Sequence, residues 1–238
     1  MSKRFVVFLV LGLILTSPGW YLVTIQLKYV STEESLFFRF LLASCFLELV
    51  RRTLKQPSPL TISKGVWGKI ILQAICLFGM NFWLCYEASK YMISGLIPVL
   101  TAVIFVPAMM IERVTTQCTI PNIKIIGSFV AILGVFLLFF QDIIAVQSSH
   151  LYGLMLAFFS TFFTLGGTQI AKTLIQHHNI PPIWLTSRGL FCGSLFFFLL
   201  IFFEKGCFNF TLEEEFIYSL LYLSFGVTGV IFLLHTAM

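Results

Sequence analysis

Residues 182–203 read PIWLTSRGLFCGSLFFFLLIFF, with Arg188 as the single charge, and polar Glu204-Lys205 closes the run. A helix rises about 1.5 Å per residue. The hydrocarbon core of a bilayer is about 30 Å thick, so about 20 mainly apolar residues are enough to cross it. The run fits a membrane-crossing helix. By the same measure seven further runs qualify, at 5–27, 34–50, 67–87, 91–111, 121–140, 152–174 and 216–237. Short polar stretches separate them: Ser31 to Glu34, Arg51 to Lys69, Glu112 to Gln117, Gln141 to His150, His177 to Pro182 and Glu204 to Glu215. Backbone N–H and C=O groups find no water in hydrocarbon, so each run must satisfy its own backbone as a helix. The ten-residue alternation of a membrane β-barrel is absent.

The bulk composition agrees. Hydrophobic residues are 58% and charged residues 11% of the 238, where a soluble domain carries about 25% charged. Mean hydropathy is +0.97. These values exclude a cytosolic enzyme, a disordered chain and a nucleic-acid binder. The net charge of +5 rests on 15 scattered Lys and Arg, too sparse to track a phosphate backbone. The expected partners are the lipid bilayer, a small-molecule solute and a second copy of the chain as a homodimer, with no nucleic acid. Cys45, Cys76, Cys85, Cys118, Cys192 and Cys207 form no C-x-x-C pair and read as small apolar side chains.

The first run resembles a secretory leader, with Lys3-Arg4 ahead of Phe5 to Leu15. Thr16-Ser17-Pro18-Gly19-Trp20 offers no small-x-small cleavage site, however, and the apolar stretch continues to Leu27, so an uncleaved first helix is expected. Orientation follows from Lys and Arg, which are retained on the cytoplasmic side. With the N-terminus inside, Lys3, Arg4, Arg51, Arg52, Lys55, Lys64, Lys69, Arg113, Lys124, Lys172 and Arg188 fall inside. Only Lys28, Arg39, Lys90 and Lys205 fall outside, while every acid except Glu48 and Glu112 does. The expected localisation is the cytoplasmic (inner) membrane, multi-pass.

An internal repeat is also visible. Lys28 and Lys172 each close the opening helix of a half. Arg39 in Phe38-Arg39-Phe40-Leu41 matches Arg188 in Ser187-Arg188-Gly189-Leu190, and Phe78-Gly79 matches Phe225-Gly226; these pairs are separated by 144, 149 and 147 residues. The first copy, 1–148, holds five spans. An odd number sends the second copy, 149–238, into the membrane upside down, and inverted repeats are a feature of secondary transporters. The fold expected is an all-α, polytopic bundle of about eight spans, with an inverted five-helix repeat whose second copy holds three.

Within 80–138 the pattern sharpens. Tyr86-Glu87-Ala88-Ser89-Lys90-Tyr91 leads to Ile97-Pro98-Val99-Leu100, then Ile111-Glu112-Arg113-Val114-Thr115, Gly127 and Gly134-Val135-Phe136-Leu137-Leu138. This resembles the EamA-type drug/metabolite transporters, with Ile111 and Ser89 in place of the usual Gly and Leu. The resemblance implies ten helices as five plus five, so the second copy is expected to lack its last two. It implies a carrier of small organic metabolites or drugs by alternating access. The alternative is a truncated or degenerate relative that transports nothing.

No enzyme motif is found: there is no G-x-x-x-x-G-K-[ST], H-E-x-x-H, G-x-S-x-G or catalytic carboxylate pair. No cofactor and no metal site is expected, and His177-His178 reads as plain loop. Polar residues inside spans are the informative ones, since a central charge costs about 2.5–3.5 kcal/mol on insertion scales. Asn81, Tyr86 and Gln169 are candidates for a solute cavity, with Trp20 and Tyr21 beside Pro18. Such aromatics and amides suit a neutral or zwitterionic metabolite. Arg39 and Arg188 read either as snorkelling to their interfaces or as serving anion capture or gating. Glu48 is expected to pair with Arg51 or Arg52. Pro98 and Pro107 each remove a backbone donor from the fourth span and are candidate hinges.

Overall fold

A computed structural model describes residues 10, 12, 14–59, 62–92, 107, 109, 113, 121–123, 125–130, 133–134, 137, 148–204, 206, 208 and 211–230. Among them the chain is all-helical, with no strand. Helix α1 is Gly19–Gln26 and α2 is Thr32–Thr53. Helix α3 runs over Lys64–Ala88, with a π-helical segment at Ile75–Met80. Helix α4 is Ser148–His178 and α5 is Pro182–Glu204; α6, Glu214–Leu221, continues as a π-helical segment at Tyr222–Val230.

Local chemistry explains the boundaries. Pro18 cannot donate to a preceding turn, and residues 17–18 form a turn between helical residues 14–16 and α1. The expected helix over 5–27 is therefore interrupted at Ser17-Pro18. Ser31 starts α2 through a capping box: its hydroxyl accepts from the Glu34 N–H while the Glu34 carboxylate accepts from the Ser31 N–H, which satisfies two otherwise orphaned donors. Glu33 and Glu34 in the first turn and Arg51 and Arg52 in the last complement the helix dipole. The Ser63 hydroxyl caps α3 by accepting from the Val66 N–H. Helix α4 ends at Asn179, whose φ of +50° is the left-handed stop that Asn tolerates. Pro182 then opens α5, at the one helical position that has no use for an N–H.

Three of these helices, α3, α4 and α5, are long and apolar enough to cross a membrane. They match the expected spans at 67–87, 152–174 and 182–203. Helix α2 is long enough, at 22 residues, but too charged to qualify. The expected spans at 91–111 and 121–140 lie largely outside the described residues, as does the end of the span at 216–237.

The centre of the bundle is the antiparallel pair α2 and α5. Phe40 of α2 packs edge-on against Phe78 and Phe82 of α3 and tilts against Phe197 of α5. Between lipid-embedded helices burial gains nothing over lipid, and close van der Waals contact has to hold them. Small residues provide it. A Cβ at Gly189 or Gly193 of α5 would lie 2.7 or 2.9 Å from the Phe78 side chain, and one at Gly167 of α4 would lie 2.7 Å from Leu77 Cβ. Helices α1 and α2 pack on the element formed by α6 and its π continuation, whereas α4 and α5 pack on α3.

Candidate functional site

A cavity of about 250 Å³ lies between α1, α2, α3 and the π-helical segment after α6. Its walls are Thr16, Gly19, Trp20, Val23, Arg39, Phe82, Leu223, Val227 and Thr228. Arg39 is the one charged side chain among them. Only 4% of it is exposed. Its Nη1 donates to Tyr86 Oη at 2.7 Å and its Nε to Thr228 Oγ1 at 3.1 Å. The guanidinium carbon stands 5.4 Å from the Phe82 ring centroid and 6.0 Å from that of Tyr86, within the range of a cation–π attraction. Trp20 packs edge-on against Tyr86, with 6.4 Å between ring centroids. Among the described residues no carboxylate pairs with Arg39. The side chain turns inward, which does not fit snorkelling and is compatible with both anion capture and gating.

Polar ties close the bundle at both ends. At the end where α2 begins, Trp83 Nε1 donates to Glu33 Oε1 at 2.9 Å, and Thr32 donates to Glu87, which also pairs with Lys90. The Tyr29 hydroxyl donates to Glu215 Oε2 at 2.9 Å, and that carboxylate raises the phenol pKa above its usual value. At the opposite end Glu48 gathers three cations: Arg51 and Arg52 each lie 2.8 Å from Oε1, and Arg188 lies 3.6 Å from Oε2. Glu48→Gln is expected to destabilise the fold by about 1 kcal/mol, since the acceptor of the partly buried Arg51 is replaced by a group that brings an N–H among the cations. The pairs with the more exposed Arg52 and Arg188 add little. Thermal unfolding in detergent checks this; an unchanged melting temperature would show the cluster to be energetically idle.

The sequence candidates separate cleanly on this geometry. Trp20, Arg39 and Tyr86 come together at the cavity. Tyr21, next to Trp20, faces outward with 64% of its surface exposed. Asn81 is bonded within its own helix, with Nδ2 donating to the Leu77 carbonyl at 3.2 Å. Gln169 is half-buried on α4 and does not line the cavity. Arg188 lies over the Trp184 ring at 5.7 Å and faces Glu48. Pro98 lies outside the described residues, and Pro107 is helical and half-buried. The residues that sequence reasoning missed are Phe82, Thr16 and Thr228. Thr228 was the findable one, as a hydroxyl within an apolar span.

The cavity is therefore lined by one buried cation and a wall of aromatic and branched apolar side chains, with the Thr16 hydroxyl donating to the Gly12 carbonyl and that of Thr228 accepting from Arg39. That set can grip a polar head and shield an apolar body, and it contains no nucleophile paired with a base. Comparison with protein-family models, curated proteins and solved structures finds no match to this chain.

Proposed function

We propose that the chain is a secondary carrier for small organic metabolites or drugs in the cytoplasmic membrane, built on the plan of the EamA-type drug/metabolite transporters. It has about eight spans, the N-terminus inside, and two inverted halves at 1–148 and 149–238. The observation that carries this reading is the position of Arg39. A buried cation lines a cavity whose walls come from α1, α2 and α3 on one side and from the π-helical segment after α6 on the other.

The pattern of packing supports the inverted repeat. The first two helices of the first half, α1 and α2, pack on the third helix of the second; the first two of the second half, α4 and α5, pack on the third helix of the first. Such reciprocity is what a two-fold axis in the membrane plane requires. The two π-helical segments support it as well. They begin at Ile75 and Tyr222, the same separation as between Phe78-Gly79 and Phe225-Gly226.

Transport would proceed by alternating access. The ties of Glu33, Glu87 and Glu215 close the outer end, and the Glu48 cluster closes the cytoplasmic end. Both are built of polar contacts that water can replace, so either can open while the apolar centre stays packed. The chain has no nucleotide-binding motif, which leaves exchange or an ion gradient as the driving force. Proteoliposomes that accumulate amino acids, nucleoside-like metabolites or drugs above protein-free vesicles would bear the proposal out. Failure across all three classes would sink it.

Topology has its own test. Ser58, in the loop that carries Arg51, Arg52, Lys55, Lys64 and Lys69, should be cytoplasmic, and Cys207, beside Glu213-Glu214-Glu215, should be outside. In chains stripped of the other cysteines, an impermeant thiol reagent on intact cells should modify native Cys207 and spare Ser58→Cys. Modification at 58 alone would invert the arrangement, and modification at both would refute the span count.

A further inference from the structure

From the surroundings of Arg39 we infer that the cavity selects a small organic anion, a carboxylate on a compact apolar body, and holds its charge against Arg39. The inference rests on the carrier reading and names its substrate class. Arg39 is nearly fully buried, and among the described residues its partners are neutral: two hydroxyl oxygens and two aromatic faces. A guanidinium has five N–H donors in a planar fork. The two observed bonds use Nε and one Nη1 proton, so donors remain for a carboxylate to engage in two-pronged fashion. The low dielectric that makes an unpaired charge expensive also makes a counter-charge bind strongly. Neutral solutes gain nothing comparable.

The rest of the cavity sets the size and polarity of the body. At about 250 Å³ the cavity exceeds the roughly 150 Å³ that takes up benzene in an apolar core, so an acid of one or two rings suits it. Trp20, Phe82, Leu223 and Val227 offer that body apolar contact. An anionic phospholipid presents the same head chemistry, and the test below separates it from a free solute.

Matched pairs of probes test this on the purified full chain in neutral detergent. Benzoate and indole-3-carboxylate should raise the melting temperature, while benzamide and indole-3-carboxamide, equal in shape, should do so at least tenfold less potently. Arg39→Gln should erase the preference for the acid, Arg39→Lys should keep part of it, and Lys172→Gln, at an exposed position of α4 that does not line the cavity, should leave it intact. If Arg39→Gln does not fold, the acid–amide comparison on the native chain still decides. Equal stabilisation by acid and amide, stabilisation by anionic phospholipid alone, or loss of the preference in Lys172→Gln would each overturn the inference. The carrier reading fails separately: acid-selective binding without uptake in vesicles would leave the anion site standing and remove transport, whereas uptake of neutral solutes alone would do the reverse.

Discussion

Arg39→Met is expected to abolish uptake while leaving the purified protein as stable as before or more stable. The two effects have different origins. A solute carboxylate that loses its buried counter-charge loses at least about 2–5 kcal/mol of binding, and 2.8 kcal/mol is already two decades in affinity. Folding sees another balance. The native side chain brings a charge into an apolar bundle, which costs about 2.5–3.5 kcal/mol on insertion scales. That cost is partly offset by the bonds to Tyr86 and Thr228 and by the Phe82 and Tyr86 rings. Methionine fills similar space, has comparable helix propensity and carries no charge. Replacing buried ion pairs by packed apolar residues is often neutral or stabilising. Here relief of a charge without a carboxylate partner among the described residues is set against the lost bond to the buried Tyr86 hydroxyl. Vesicle uptake and thermal unfolding, measured on one preparation, separate the outcomes. A melting temperature that fell along with uptake would make Arg39 a structural strut and remove the ground for a solute site.

Two adjacent glycines of α4 should respond in opposite ways. At Gly167 a Cβ would sit 2.7 Å from Leu77 Cβ and 3.0 Å from the Leu77 backbone nitrogen. The obstruction includes main chain inside a π-helical segment, so no rotamer change relieves it. Overpacking typically costs 1–3 kcal/mol, and Gly167→Leu should reach or exceed about 3 kcal/mol, roughly ten degrees in melting temperature for a chain of this size. At Gly166 a Cβ meets nothing within 4 Å. There Gly→Ala removes only backbone freedom and should gain up to about 1 kcal/mol. Detergent thermal melts of the two variants, side by side, give the comparison. A tolerated Gly167→Leu would mean that α4 does not press on α3 as described.

The elements themselves were legible because hydropathy and end chemistry act locally. The run at 182–203 became Pro182–Glu204, and the acids and arginines around 34–50 became the two ends of α2. Rotation about each helix axis was not legible. In a helix apolar all round, the 3.6-residue period carries no phase information. Trp20 and Tyr21 were therefore equal candidates, although neighbours differ by about 100° and one cavity can face only one of them. Asn81 and Gln169 stood out by cost, yet an amide can satisfy itself on its own helix, as Asn81 does. Thr228 is nearly silent in the sequence for the converse reason: a hydroxyl in an apolar span is cheap, and only the guanidinium lying against it gives it a role. The π-helical segments have no signature in composition at all.

Those segments make the chain forgiving of length where the cavity can least bear a change of angle. A π turn is an α-helix that has absorbed a surplus residue locally, like a ruck in a carpet. Beyond Ile75–Met80 the helix still presents Phe82 and Tyr86 toward Arg39. Removing a residue elsewhere in Lys64–Ala88 would swing one part of the helix by about 100° relative to the rest, whereas removing one from the ruck flattens it and leaves both parts aligned. A ruck can also travel. As it migrates by a turn it rotates the residues it passes and leaves the two ends of the helix where they were, which gives a membrane protein a way to turn one side chain toward or away from a cavity without sliding a helix through its neighbours.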